Sequence, residues 1–197
     1  MSAYGARSPF CVPVTPVIVI CCGVSGSGKS TLGARLAEAL ACEFLEGDDF
    51  HPDANIQKMA RGVPLTDDDR RPWLSALRTG TKEALRRPDA PVVVACSCLG
   101  PQHRDALAIA ETPTLWVFLQ GSFEDIRDRL VARTGHFMSA DMLASQFAAL
   151  RPPEPGEIAS RGAPGAEHRL LVVPVAAPVD AAVETVLREL NRMSDKT

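Results

Sequence analysis

Residues 23–30 of this 197-residue chain read Gly23-Val24-Ser25-Gly26-Ser27-Gly28-Lys29-Ser30 and fit the pattern G-x-x-x-x-G-K-[ST]. The β-branched run Val17–Cys22 leads into them, and Leu32, Leu36, Ala39 and Leu40 follow at the spacing of one apolar helix face. A buried strand that empties through three glycines into a helix leaves few folds open. The glycines let the backbone wrap closely around an anion, and N–H groups at the positive end of the helix converge on its oxygens. Gly23, Val24, Ser25, Gly26, Ser27, Gly28, Lys29, Ser30 and Thr31 therefore form a predicted P-loop cradle for ATP. Lys29 would bridge the β- and γ-phosphates, and Ser30 would offer its hydroxyl to Mg²⁺.

The rest of the chain alternates strands with helices, which predicts an α/β fold: one parallel sheet with helices on both faces. Beyond Val17–Cys22, strands are expected near Glu43–Leu45, Val92–Cys96, Leu115–Leu119 and Leu170–Val173. Helices are expected over Lys29–Leu40, Pro52–Ala60, Arg71–Arg87, Gln102–Ile109, Phe123–Arg133, Ala140–Leu150 and Asp180–Arg192. Segment 151–168, rich in Pro and Gly, reads as a mobile loop without a regular element. Residues 1–13 read as a flexible arm and 14–193 as one kinase-sized domain.

Composition narrows the partners. With 21 Lys and Arg against 24 Asp and Glu, the net charge of −3 gives no general pull toward nucleic acid or anionic membrane. No apolar run reaches the roughly 20 residues a membrane helix needs. Six cysteines without C-x-x-C spacing read as reduced, buried thiols of a cytoplasmic protein. Val- and Leu-rich faces suit a core and a homodimer equally well.

A P-loop alone does not separate a small kinase from a GTPase, a motor or a repair ATPase. The chain lacks N-K-x-D, and the strand Val92–Cys96 ends without a Walker-B aspartate. The metal-side carboxylate must then come from Asp48 or Asp49, at the end of the second strand. Asp48 is the candidate for both general base and Mg²⁺ partner, although either residue would also serve as a helix cap. Asp67, Asp68 and Asp69 follow Thr66 in the manner of a capped helix start. Arg70 differs from them, because its planar fork suits a carboxylate-bearing substrate.

Four stretches carry a resemblance: G-V-S-G-S-G-K-S-T, D-D-F-H-P-x-x-N-x-x-K-M, G-x-P-L-x-D-D-D-R-x-P-W-L and G-H-F-M. In this order they resemble the thermoresistant type of the gluconokinase family, from about Val17 to Leu190. The resemblance implies an adenylate-kinase-like sheet of five parallel strands with a lid, here about 134–168. It also implies transfer of the γ-phosphate of ATP to the 6-hydroxyl of D-gluconate. His51, Lys58, Arg70, Arg104, His136 and Gln146 are then expected at the substrate with Asp48. Arg129 and Arg133, one turn apart on a helix leading to the lid, are expected at the transferring phosphoryl group. The chain departs from the family at Gly100, where a Lys is usual, at His103 in place of Tyr, and at Arg151 in place of Glu. A shikimate-type kinase or a nucleotide-binding module without turnover remain the rival readings.

Overall fold

A computed structural model of the chain describes residues 16–87, 90–132 and 140–195. Its centre is a sheet of five parallel strands, β1 (Ile18–Cys22), β2 (Glu43–Glu46), β3 (Val92–Ala95), β4 (Thr114–Gln120) and β5 (His168–Pro174), in the order β2-β3-β1-β4-β5. Among the described residues eight α-helices accompany them: α1 (Lys29–Leu40), α2 (Asp53–Ala60), α3 (Asp67–Ala84), α4 (Pro101–Leu107), α5 (Phe123–Ala132), α6 (Ala140–Ala149), α7 (Pro155–Ala159) and α8 (Val179–Ser194). The central strand explains its own composition. Val19 and Cys21 face one layer with Leu32, Leu36, Val186 and Leu190, while Ile18, Ile20 and Cys22 face the other with Trp73, Leu74, Leu77 and Leu107. A strand covered on both sides has no polar face to alternate with.

β1 pairs with β3 on one side and β4 on the other, so the strand order reverses at its carboxyl end. In open parallel sheets ligands bind at that crevice, and here it opens onto the P-loop. Among the described residues no helix is long and apolar enough to cross a membrane. Cys21, Cys22, Cys42, Cys96 and Cys98 are free thiols, and all but Cys42 are buried. Burial pushes the Cys22 thiol up to about 12 and raises Cys21 further still.

Two expectations need correction. The third helix starts at Asp67, not Arg71, because Thr66 and Asp69 close a capping box: the Asp69 N–H donates to Thr66 Oγ1 at 3.3 Å, and the Thr66 N–H to Asp69 Oδ2 at 2.7 Å. Pro72 lies inside the helix despite lacking an N–H, so the cap outweighs the missing bond. Segment 151–168 is not without a regular element. Pro155 opens α7 from its first turn, where proline fits a helix, and Ile158 is fully buried beneath the sheet. Of the expected lid, residues 134–139 lie outside the described residues, as does the expected arm 1–13.

Candidate active site

The P-loop wraps the carboxyl end of β1, and Gly23, Gly26 and Gly28 all take left-handed φ values. At Gly26, with φ of 80°, a Cβ would come within 2.6 Å of the Leu130 side chain, so α5 covers the loop closely enough to exclude any other residue. A cavity of about 440 Å³ opens here between Gly26, Ser27, Gly28, Thr31, Arg129 and the segment Val173–Val179. Ser27 Oγ is buried without a hydrogen-bond partner, a donor awaiting an acceptor in a cradle built for oxygens. Arg129 donates to the Val175 carbonyl from the cavity wall. The Lys29 ammonium donates back to the Val24 carbonyl at 3.0 Å. Burial lowers its pKa, and the charge of Asp48 pulls it back up.

A second, narrower cavity of about 90 Å³ lies on the other flank of the same loop, lined by Ser25, Lys29, Asp48, His51, Arg70 and Gln146 among others. Asp48 reaches it on a single 3₁₀ turn, Gly47–Phe50, directly after β2. Gly47 permits this turn, since a Cβ there would stand 2.3 Å from the Ala95 carbonyl oxygen. Trp73 Nε1 donates to the Gly47 carbonyl at 2.6 Å, and the Trp73 ring stacks on His51 with centroids 4.1 Å apart. Asn55 Nδ2 donates to His51 Nδ1 at 3.4 Å, so the imidazole carries its proton on Nε2, 4.0 Å from Asp48. Burial lowers the His51 pKa against the pull of Asp48, keeping the ring neutral near pH 7. On the far side, Gln146 Oε1 accepts from the Ser25 N–H at 2.7 Å, joining α6 to the P-loop.

Comparison with known proteins follows the same lines. A family model described as AAA domain matches residues 18–153. The thermoresistant gluconokinase of Escherichia coli (strain K12) is 38% identical over 175 residues, 89% of this chain and 94% of that relative. The chain belongs to the gluconokinase family. The gluconokinase of Gluconobacter oxydans is 41% identical over 70% of this chain and 77% of its own. A crystal structure of a gluconokinase from Sinorhizobium meliloti superposes with a TM-score of 0.73 at 40% identity, covering 93% of this chain and 96% of that one.

Within this gluconokinase fold the expected residues divide. Asp48, His51, Arg70 and Gln146 meet Lys29 at the narrower cavity, while Arg129 stands at the larger one. Arg104 does not reach either. It is fully buried, donating to the Cys98 and Arg151 carbonyls at 3.0 Å each and pairing with Glu157 at 2.7 Å, so it ties α4 to α7. Lys58 is likewise drawn aside, with its ammonium 2.5 Å from Asp69 Oδ2 on the α3 cap. Arg133 and His136 lie outside the described residues. Gly100 has extended backbone and caps α4, where its N–H donates to His103 Nδ1 at 3.1 Å. Arg151 donates to the Ala148 and Leu150 carbonyls at the end of α6. Sequence reasoning missed the support that Trp73 gives Asp48 and the wall formed by Val173–Val179. The first rests on a partner 26 residues away, and the second is a plain apolar stretch from the end of β5 to the start of α8.

Proposed function

We propose that this chain transfers the γ-phosphate of ATP to the 6-hydroxyl of D-gluconate, giving 6-phospho-D-gluconate. One observation carries the reading: the two cavities flank a single P-loop, with Ser25 and Lys29 on the acceptor side and Gly26, Ser27, Gly28 and Thr31 on the nucleotide side. A phosphoryl group held by the loop would face an acceptor bounded by an acid, a neutral imidazole and an Arg fork. The family relatives' names supply gluconate as that acceptor.

The residue roles follow from chemistry. The Asp48 carboxylate, 87% exposed, takes the proton of the attacking hydroxyl as the new P–O bond forms and the bond to the leaving ADP breaks. Lys29 neutralises charge that builds on the phosphoryl oxygens, and Arg129 adds to it from the nucleotide side. Arg70 receives the gluconate carboxylate, while His51 and Gln146 bond its hydroxyls. Mg²⁺ screens the phosphates when bound. The described residues hold no cluster of three His, Cys, Asp or Glu, and the Ser30 hydroxyl and Asp48 are the residues that would hold the ion.

A coupled ADP-release assay over a panel of sugar acids tests the substrate. Gluconate-dependent turnover is expected, and turnover confined to another acid such as shikimate would sink the reading. Lys29→Ala should lower kcat by roughly 10²–10³-fold, the scale of losing one preorganised charge in the transition state. A near-normal kcat in that variant would refute the mechanism.

A further inference from the structure

Arg70 reaches the acceptor cavity from the first turns of α3, and its position there has a source outside that helix. Its Nη1 donates to Asp67 Oδ1 at 3.2 Å, and its side chain lines the acceptor cavity. The remaining edge of the fork is left for a ligand. The Arg70 side chain is 14% exposed but Asp67 is 57% exposed, and a pair three residues apart on a helix with its acid in solvent holds a long side chain only weakly. Asp67 needs an anchor of its own.

That anchor is His103 of α4, whose side chain is only 5% exposed. Its ring stands between two fixed partners. The Gly100 N–H can only donate, so His103 Nδ1 must accept from it at 3.1 Å. The ring proton is therefore on Nε2, which donates to the same Asp67 Oδ1 at 3.1 Å. Gln102 Nε2 adds a bond to Asp67 Oδ2 at 3.2 Å. A buried imidazole in a single tautomer thus clamps the carboxylate that braces Arg70.

We propose that His103 is a positioning residue for the acceptor acid, acting through Asp67 to hold the Arg70 fork toward the substrate carboxylate. Gly100, His103, Asp67 and Arg70 form one line of hydrogen bonds from the loop after β3 to the cavity. His103 touches neither substrate nor phosphate. Its effect falls on binding of the acid and leaves the phosphoryl step alone. The inference rests on the proposed reading of Arg70 as the carboxylate site.

Two substitutions separate the ring's two nitrogens. In His103→Asn the amide oxygen stands in for Nδ1 and keeps the cap on Gly100, but the side chain is too short to reach Asp67. In His103→Gln the amide nitrogen stands in for Nε2 and reaches Asp67, while the cap is lost. The Asn variant should melt close to wild type yet raise the KM for gluconate roughly three- to tenfold, the effect of one weakened hydrogen bond. Its kcat and its KM for ATP should stay within about twofold. The Gln variant should melt lower and keep a near-normal KM for gluconate. With neutral D-gluconamide as acceptor, the Asn variant should match wild type.

An unchanged gluconate KM in the Asn variant would overturn the proposal. So would a KM that follows melting temperature, rising in the Gln variant as much as in the Asn variant. If wild type uses a different acid, the gluconate reading fails while the same variants decide the His103 proposal with that acid. A wild type that uses only neutral acceptors, or none, overturns both.

Discussion

The indole of Trp73 stacks on His51 and donates to the Gly47 carbonyl, so one buried side chain supports the residue before Asp48 and the imidazole 4.0 Å from it. Trp73→Phe keeps most of the apolar volume and a ring for His51, but removes the donor to Gly47. Leaving a buried carbonyl without its partner should cost about 1–3 kcal/mol, seen as a lower midpoint in urea denaturation. Because the 3₁₀ turn would relax with it, kcat should fall roughly tenfold or more while the KM for ATP holds. A loss of stability with kcat intact would mean that Asp48 is positioned by β2 alone. At this scale the sequence was informative about residue types and less so about partners. Asp48 and Arg70 stood out because their chemistry is unusual at the end of a strand or a helix start. Nothing local marked Trp73 as the support of Asp48, since an aromatic residue on a helix is ordinarily core.

Helices α4 and α7 meet through Arg104, Glu157 and Arg161, a network in which Arg161 also reaches Asp105 at 2.7 Å. Burial alone would raise the Glu157 pKa, but its bonds to Arg104 and the nearby charges of Arg104 and Arg161 hold it below the usual range. Arg104→Ala removes one partner of a buried pair and should destabilise the fold by about 3–5 kcal/mol in chemical denaturation. In the folded fraction the KM for gluconate should stay within about twofold, because the guanidinium lies away from the cavity. A raised KM at full stability would return Arg104 to the substrate. This network also explains why segment 151–168 was illegible. Its prolines and glycines match a loop by composition, while the force that orders it comes from an arginine about 50 residues earlier. The P-loop helix, by contrast, was placed to the residue, because strand, glycines and apolar face all act within 24 residues.

Across the whole molecule, titration should follow the buried histidines. His51, His103 and His168 each have a lowered pKa, with burial as the leading cause in all three. The unfolded chain therefore takes up more protons than the native one as pH drops through the ordinary histidine value of about 6.5. Stability should be full above that value and decline as pH falls toward the native pKa values, which denaturation midpoints at a series of pH values would measure. Asp69, held down to about 2 by its bond from Lys58, adds a second decline as pH falls from its ordinary 3.8 toward that value. A midpoint that stays flat through the histidine range would show that these rings ionise as freely in the native state. The sheet carries one more consequence. Cys21 and Cys22 in β1 and Cys98 in the loop after β3 are buried, and their pKa values are raised well away from neutrality. Alkylating reagents act on exposed thiolate, so these three sulfurs react only when the core around them opens. Their modification rate is an internal clock for opening of the native state, and ligands that close the two cavities would slow it.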